Sequence, residues 1–248
     1  MFIDTHCHLS IEDYDDIDKV VKEDIEAGVK KLIVSACTKN TFEEALALAK
    51  KYDSIYVTLG FHPSEVDTTG ADLELLEELL KTDKVVGVGE IGLDYHYGKD
   101  DINMQKELFE KQLVIAEKLN LPVVIHSRDA VNDTIETLKK HNVKGVIHCF
   151  SGSVETADIY IRLGYKLGIG GVVTFKNSNL YKVVEHVGLD NIVLETDSPY
   201  LAPEPFRGKQ NSSKYIPVIA TKIADILNVS LSEVEDKTTM TASNLFDL

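Results

Sequence analysis

Short apolar segments alternate with amphipathic helical segments along the whole chain, and this alternation limits the folds open to it. Eight of the apolar segments have the length and composition of buried strands. They cover residues 2–8, 31–36, 55–59, 85–90, 123–126, 146–148, 167–170 and 192–197. Because short strands separated by helices form parallel βαβ units, eight units in succession predict an α/β fold, the closed (β/α)8 TIM barrel. A doubly wound open sheet is the alternative, but it rarely needs eight such units.

The length and the charge of the chain set further limits. The chain has 248 residues and contains no linker or low-complexity tract. A typical (β/α)8 barrel has about 250 residues, so we expect a single domain over residues 1–248. The formal net charge is −15, whereas nonspecific binding to nucleic acid depends mainly on lysine and arginine. Contact with a nucleic acid must therefore be local, through metal ions and a few cations, and not through an extended basic surface.

The amino terminus and the cysteines indicate the compartment. Polar and charged residues stand within the first eight positions, unlike the pattern of a secretory signal, and no apolar run is long enough to span a membrane. Cys7, Cys37 and Cys149 have neither paired nor C-x-x-C spacing, which suits a reducing compartment. We therefore expect a cytoplasmic protein without a membrane partner. Cys7 should pack in the core because it points away from the histidines on either side.

The first strand ends in a pair of histidines. His6 and His8 are two residues apart, so an extended backbone directs both imidazoles to one face, as two ligands of one metal ion require. By itself, a His-x-His at a strand end more often faces solvent. Further His, Glu or Asp residues stand at or near the ends of later strands: His62, Glu90, His126, His148 and Asp197. Since all barrel strands end on one rim, these side chains are predicted to meet there.

Six of these side chains, leaving His62 aside, exceed the three or four that one ion needs, so two divalent ions are predicted. The predicted ligands are His6, His8 and Asp197 for one ion and His126 and His148 for the other, with Glu90 as the bridge. Imidazole mixed with carboxylate favours Zn²⁺ or Mn²⁺ over Mg²⁺. The charge of two such ions exceeds that of the two carboxylates, so the site would attract an anion such as a phosphate.

Seven segments resemble the motifs of the TatD family of metal-dependent hydrolases. They are HCH at 6–8, GFHP at 60–63, GEIGLDY at 89–95, IHSRDA at 125–130, HCFSG at 148–152, ETDSPYL at 195–201 and RGKQN at 207–211. After the last motif the family has Glu-Pro, where this chain has Ser212 and Ser213, so the contacts of that loop are expected to differ. The resemblance implies an amidohydrolase-like TIM barrel, a divalent-metal centre with the same six ligands, and deoxyribonuclease activity, often as a 3′-to-5′ exonuclease.

Individual residues have predicted roles. Glu90 and Asp197 are predicted to be catalytic, Glu90 as a metal ligand and Asp197 as both ligand and proton acceptor. His62 is surplus to metal binding and is predicted to contact the substrate. Arg128 has a planar fork that suits a phosphate, although a salt bridge to a nearby acid explains it equally well. Lys176 is a weaker candidate for substrate binding, because an exposed lysine is usually only solvated. Two further residues are expected to line the pocket or support the ligands: Asp94 and Tyr95.

Three functions fit this set of residues. The first is a divalent-metal-dependent deoxyribonuclease that cleaves phosphodiester bonds with a metal-activated water and acts on short single strands or ends of DNA. The second is a metal-dependent hydrolase of esters or amides, such as an aminoacyl-tRNA deacylase, since the same centre can attack a carbonyl carbon and the barrel itself does not choose. The third is a metal-binding scaffold without turnover, which an incomplete set of ligands would have favoured.

Overall fold

The core of the molecule is one sheet of eight parallel strands that pair with one another in chain order. The computed structural model describes residues 1–68, 72–96, 98 and 101–248. The strands are β1 (Phe2–Cys7), β2 (Val29–Ala36), β3 (Ile55–Leu59), β4 (Val85–Asp94), β5 (Val123–Arg128), β6 (Gly145–Ile147), β7 (Tyr165–Ile169) and β8 (Ile192–Leu194). This order, with helices between the strands, confirms the predicted (β/α)8 barrel.

Helices surround the strands and cover one end of the barrel. In the described part of the chain they are α1 (Ile17–Glu26), α2 (Lys39–Lys51), α3 (Leu73–Leu79), α4 (Ile102–Leu119), α5 (Val131–Leu138), α6 (Val154–Arg162), α7 (Leu180–Val187), α8 (Ile216–Leu227) and α9 (Leu231–Phe246). One large apolar cluster joins the strands to these helices. A smaller cluster joins Ile3, Val124 and Val193, near the starts of their strands, to Phe246 of α9. The opposite end, where the strands finish, carries the polar side chains.

Hydrogen bonds between β1 and the segment after β8 close the barrel. β8 ends at Leu194, whereas the sequence predicts a strand that reaches Asp197. The segment that follows still runs beside β1. The amide of Asp197 donates to the carbonyl of His6 at 3.0 Å, and the amide of His8 donates to the carbonyl of Ser198 at 2.7 Å. Pairing between β1 and the segment after β8 is therefore irregular. Both segments also carry predicted ligands at the rim.

A buried carboxylate stabilises this closure. Asp4 is fully buried, and it accepts hydrogen bonds from the hydroxyl of Thr196 at 2.6 Å, from the amide of Thr196 at 3.1 Å and from the amide of His6 at 3.2 Å. Burial raises the pKa of Asp4 to about 7, although the hydrogen bonds oppose the shift. Because Asp4 joins the strand that carries His6 to the segment that carries Asp197, it positions two predicted ligands relative to each other.

Strand β4 is longer than the sequence predicts. The prediction of a strand that ends at Glu90 is wrong, since β4 continues to Asp94 and pairs with β5 as far as Arg128. The glycines of this segment interrupt the regular pairing around Glu90 but do not end the strand. An irregularity of this kind redirects a side chain while pairing resumes beyond it. Gly89 is required at this point because a Cβ there would lie only 2.6 Å from Val124 Cβ.

Two properties of the chain bear on its surroundings. Within the described residues, no helix is both long and apolar enough to cross a membrane. The three cysteines are free. Cys7 is buried and its thiol donates to the carbonyl of Ile33 at 3.6 Å, which confirms that it packs in the core. Cys37 lies instead at the rim, where its sulfur is 3.6 Å from a carboxylate oxygen of Glu90.

The loop after the barrel departs from the family pattern at Ser212, and this residue contacts a buried acid of α1. Ser212 Oγ donates to Asp24 Oδ1 at 2.9 Å, and the amide of Lys214 donates to the same oxygen at 2.7 Å. Among the described residues, nothing hydrogen-bonds the other oxygen of Asp24. Burial raises the pKa of Asp24 to about 6, although the two hydrogen bonds oppose the shift. The ionised carboxylate of Asp24 therefore destabilises the folded protein.

Replacing Asp24 by asparagine should stabilise the protein at neutral pH. The carboxyl has a pKa of about 6 in the folded protein and about 3.9 in an unfolded chain. Between these values the unfolded chain loses the proton first, so the stability of the wild type falls as the pH rises from about 4 to about 6. At about pH 7.5 the Asp24→Asn variant should be more stable by about 1–3 kcal/mol, and at about pH 4 the difference should disappear.

Urea unfolding of both proteins at the two pH values measures this difference. Asp225→Asn, on the exposed face of α8, is the matched control and should change stability little at either pH. A stabilisation by Asp24→Asn of equal size at both pH values would show that ionisation of Asp24 is not its cause.

Candidate metal centre

The predicted ligands come from five strands and the segments just after them, and they meet at the carboxyl end of the barrel. Three groups among them each bring their ligand atoms within 4.8 Å of one another. The groups are His6 with His8 and Glu90, His6 with His148 and Asp197, and Glu90 with His126 and His148. Glu90 belongs to the group that contains His8 and also to the group that contains His126. It therefore lies between the two halves of the site, where a bridging carboxylate would be.

The first half of the site lies between the end of β1 and the loop after β8. The Nε2 atoms of His6 and His8 are 3.3 Å apart, and Asp197 Oδ1 lies 3.7 Å from the first and 3.6 Å from the second. Glu90 Oε2 is 3.6 Å from His6 Nε2. His8 Nδ1 lies 3.2 Å from the carbonyl of Ser35. Since a carbonyl only accepts, this nitrogen carries a proton, and in the neutral ring Nε2 of His8 presents its lone pair to the site.

The second half contains two histidines, each held between two carboxylates. His126 Nδ1 is 2.7 Å from Glu90 Oε1, and its Nε2 is 3.0 Å from Asp94 Oδ2. His148 Nε2 is 3.0 Å from the same oxygen of Glu90, and its Nδ1 is 3.4 Å from Glu195 Oε1. In metal sites an outer carboxylate commonly accepts the N–H of a ligand histidine, which sets the ring orientation and the tautomer. Asp94 is hydrogen-bonded to His126 in such an outer position, and Glu195 lies in the corresponding position at ion-pair distance from His148.

The carboxylate at the centre is ionised despite its burial. Burial would raise the pKa of Glu90, but the charge of His148 and the hydrogen bond with His126 hold this pKa well below its usual range. Burial would likewise lower the pKa of His148, but the charges of Glu90 and Glu195 hold it well above its usual range. His6 is different, because burial and the charge of His148 lower its pKa well below the usual range. Its neutral imidazole can act as a metal ligand.

This arrangement of donors fits divalent cations. Two imidazole nitrogens 3.3 Å apart, with carboxylate oxygens within 3.7 Å, bring lone pairs together. Such lone pairs repel one another unless a cation or a proton lies between them. The tautomer of His8 directs a lone pair, not a proton, into the space. Imidazole nitrogen and carboxylate oxygen together suit Zn²⁺ or Mn²⁺.

The sequence does not single out Glu195, which supports His148. Glu195 is completely buried, and it also accepts a hydrogen bond from the amide of Cys149 at 2.5 Å. Gly168 of β7 makes room for it, because a Cβ at position 168 would overlap Glu195 Oε2. The signals in the sequence are the ETDSPYL motif, which begins at Glu195, and the spacing of Glu195 two residues before Asp197, since residues two apart in an extended segment face the same side.

His62 faces the site as a hydrogen-bond donor. The amide of Ser64 donates to His62 Nδ1 at 3.1 Å, so the neutral ring carries its proton on Nε2. Burial lowers the pKa of His62 to about 4, which keeps the ring neutral. Its Nε2 is 3.8 Å from Glu90 Oε1. A fourth group of possible metal donors, His62 with Asp94 and His126, is explained by the hydrogen bond between His126 and Asp94, because His62 offers a proton there and not a lone pair.

The other predicted contact residues lie at the rim. Arg128, the last residue of β5, is exposed. Burial would raise the pKa of Asp94, but hydrogen bonds and the charges of His126 and Arg128 lower it. Arg128 therefore interacts electrostatically with the carboxylate of Asp94. Lys176 is exposed in the loop after β7. The hydroxyl of Tyr95 donates to Asp133 at 2.7 Å, so this end of Tyr95 supports α5 and not the centre of the site.

A cleft of about 390 Å³ opens beside the predicted ligands, on the side of β1 to β3. His8, Cys37 and His62 reach it from the site. Its outer wall is acidic, with four carboxylates from two loops and from α2: Glu12, Asp13, Glu44 and Glu65. Among the described residues that line it, there is no lysine or arginine. We refer to this space as the acidic cleft.

Comparison with known proteins identifies the family. A family model described as TatD related DNase matches residues 3–247. The chain belongs to the TatD family. This family consists of metal-dependent hydrolases, in agreement with the resemblance of the seven motifs and with the clustered His, Glu and Asp side chains.

Relatives within the TatD family are similar to this chain over almost their whole length. The uncharacterized metal-dependent hydrolase YabD of Bacillus subtilis is 39% identical, and the match covers 99% of both chains. The uncharacterized metal-dependent hydrolase YcfH of Escherichia coli is 35% identical, over 99% of this chain and 96% of the relative. The crystal structure of YjjV, a TatD homolog from Escherichia coli, superposes with a TM-score of 0.93 at 33% identity, over 100% of this chain and 98% of that one.

Adding a methyl group at position 168 should weaken metal binding in this TatD protein without changing a predicted ligand. In Gly168→Ala the new Cβ would displace Glu195, and His148 would lose its outer carboxylate. Loss of such support typically costs about 10- to 100-fold in metal affinity. Competition for Zn²⁺ with a chelator of known affinity measures the change.

Gly170→Ala is the matched control, because a Cβ at position 170 meets no atom closer than 3.5 Å. This variant should bind the metal as the wild type does. Glu195→Gln removes the same negative charge without a clash, and it serves if Gly168→Ala does not fold. Unchanged metal affinity in both Gly168→Ala and Glu195→Gln would rule out a supporting role for Glu195.

Proposed function

We propose that this TatD-family protein is a metal-dependent deoxyribonuclease that removes nucleotides in the 3′-to-5′ direction from ends or short single strands of DNA. The observation that supports this best is the pair of histidines, His126 and His148, that each lie between Glu90 and an outer carboxylate. The description of the matching family as TatD related DNase supports a nucleic-acid substrate. The three free cysteines support action in the cytoplasm, a reducing compartment.

In this proposal two divalent ions occupy the site, with Zn²⁺ or Mn²⁺ favoured and Mg²⁺ as the alternative. When bound, two such ions polarise a phosphoryl oxygen and lower the pKa of a water molecule that attacks the phosphorus. Glu90 is suited to join the two halves because its oxygens face different histidines. Oε1 lies toward His126 and His148, and Oε2 lies toward His6. The six ligands would be His6, His8, Glu90, His126, His148 and Asp197.

Two residues are suited to handle protons. The side chain of Asp197 is 16% exposed and that of Glu90 is 5% exposed. Asp197 can therefore accept the proton of the attacking water and pass it to solvent, whereas Glu90 has both oxygens engaged and serves as a ligand. His62 is neutral with its proton on Nε2. It can donate a hydrogen bond to a phosphoryl oxygen as negative charge builds up there.

The acidic cleft favours a second candidate, an ester or amide hydrolase whose substrate carries an ammonium group. Besides Glu90, four carboxylates line the described part of this cleft beside the site, and no lysine or arginine does. An aminoacyl ester would present such an ammonium group next to the carbonyl that is attacked. The carboxylates of the acidic cleft would attract this positive charge. A scaffold without turnover is less favoured, because the predicted ligands all lie together.

The Glu90→Gln variant should fold but lose one or both metal ions and nearly all activity. The fold of the barrel does not depend on the carboxylate of Glu90. Both halves of the site depend on it, because it contacts histidines of each half. Elemental analysis and hydrolysis assays of the variant and the wild type measure the two effects, and circular dichroism checks the fold.

Glu185→Gln, an exposed change on α7, is the control and should keep the metal content and the activity of the wild type. If Glu90→Gln kept its full metal content and turnover, Glu90 could not be the bridge.

Substitutions of Arg128 distinguish hydrolysis of phosphodiesters from hydrolysis of carbonyl esters. If Arg128 pairs with a phosphate that flanks the cleaved bond, Arg128→Ala should lower kcat/KM on oligonucleotides by about 10- to 100-fold. Arg128→Lys should recover only part of this loss, because an ammonium cannot reproduce the two-pronged fork of a guanidinium. Metal content should stay the same in both variants, since Arg128 is not a predicted ligand.

Steady-state kinetics with an end-labelled single strand and with an aminoacyl ester, each with Mg²⁺, Mn²⁺ and Zn²⁺, measure these effects. Arg162→Ala, an exposed change on α6, is the control. Fast ester cleavage by the wild type, together with equal kinetics of all variants on DNA, would favour the deacylase over the nuclease.

A further inference from the structure

A second cavity, of about 660 Å³, lies at the carboxyl end of the barrel on the side of β6 to β8. The acidic cleft lies on the other side of the site, toward β1 to β3. Loops that follow three strands line the second cavity with mostly polar and basic residues. Those that matter here are Ser151 after β6, Phe175, Lys176 and Asn179 after β7, and Glu204 and Arg207 after β8.

The most distinctive feature of this cavity is an arginine stacked on an aromatic ring. The guanidinium carbon of Arg207 lies 4.0 Å from the centre of the Phe175 ring. Stacking of this kind holds the plane of the guanidinium and leaves its N–H groups free to bind an acceptor. Arg207 is exposed, and within the described part of the chain it makes no ion pair. Glu204 lines the same cavity but is not within ion-pair distance of this permanent positive charge.

The two loops that carry this pair are fastened to each other. The amide of Glu204 donates to the hydroxyl of Thr174 at 2.9 Å. Gly171 packs so closely against the carbonyl of Leu201 that a Cβ would not fit. These contacts hold the two loop segments that precede Phe175 and Arg207 against each other. Lys176, adjacent in sequence, adds a second exposed cation for which the described residues supply no ion pair.

The cations of this cavity contrast with the acidic cleft on the other side of the site. The chain has 41 acidic residues and 26 basic ones, yet Glu204 is the one acid among the described residues that line this cavity. On the other side of the site the acidic cleft carries four carboxylates. A chain of phosphates that passes through the site would be repelled by the acidic cleft and attracted to Arg207 and Lys176.

We infer that the cavity at Phe175, Lys176 and Arg207 binds the part of a single-stranded nucleic acid that extends away from the cleaved bond. Arg207 and Lys176 contact backbone phosphates, and the Phe175–Arg207 stack offers a surface on which a base can lie. The acidic cleft then receives only the terminal residue that is released. This inference rests on the proposed nuclease function, since it assigns a binding site to the substrate of that reaction.

The test compares a long and a short substrate. In Arg207→Gln the KM for a ten-nucleotide single strand should rise about tenfold, because one charge-assisted contact is lost. The effect on this strand should exceed the effect on bis(p-nitrophenyl) phosphate, a diester with no second phosphate to bind in the cavity, by at least about tenfold. The dependence of log KM on log salt concentration should become shallower by about 0.7, the value for one phosphate of a single strand. Phe175→Leu should raise KM by a smaller factor.

Lys209→Gln is the matched control. Lys209 is exposed two residues after Arg207 and lies over the ring of Phe206, but it does not line the cavity. If Arg207→Gln and Lys209→Gln have the same KM for the ten-nucleotide strand, the cavity is not a substrate site. If Arg207→Gln slows the small diester as much as the strand, Arg207 acts at the cleaved bond and the inference is again overturned.

A binding measurement separates this inference from the proposed function. Fluorescence anisotropy of the metal-loaded protein with a labelled phosphorothioate strand, which resists cleavage, gives the Kd without turnover. A Kd about tenfold weaker for Arg207→Gln than for Lys209→Gln supports the cavity site even if the wild type hydrolyses no diester. Equal Kd values with an active wild type would leave the nuclease standing and remove the cavity site.

Discussion

The arrangement of the site depends on the buried carboxylate of Glu90. One of its oxygens lies 2.7 Å from His126 and 3.0 Å from His148, and the other lies 3.6 Å from His6. A charged group so deeply buried is stable only where opposite charges or hydrogen bonds surround it. Glu90 therefore requires cationic partners, whether protonated histidines or metal ions, and it holds both halves of the site at a fixed separation.

Further buried acids keep the partners of Glu90 in place. Asp94 and Glu195 lie behind His126 and His148 on the side away from Glu90. Asp4, on the first strand, accepts hydrogen bonds from the segment that leads to Asp197 and so joins the two ends of the barrel. These acids have in common that they position other side chains. The contacts of these buried acids hold side chains from five strands and the segments just after them within a few ångströms of one another.

The distribution of charge separates two sides of the site. A net charge of −15 argues against a long basic track for nucleic acid. The acidic cleft follows this overall charge, with four carboxylates near the predicted ligands. The cavity next to Arg207 departs from it, with two cations that the described residues leave without an ion pair. An acidic protein can bind a phosphate chain in this way, because the attraction is confined to the metal centre and one side of the rim.

The sequence by itself determined the barrel and the set of predicted ligands, since strand periodicity and the positions of the strand ends are local properties of the chain. It could not determine that β4 continues past Glu90, because a glycine-rich segment can either end a strand or bend it, and only pairing with β5 decides. It placed Glu195 in a motif but could not assign its role, which depends on Gly168 of a different strand making room for it. The tautomer of His62 likewise follows from its contact with Ser64. These features come from contacts between parts of the chain far apart in sequence or from the direction of single hydrogen bonds, and only the tertiary structure decided them.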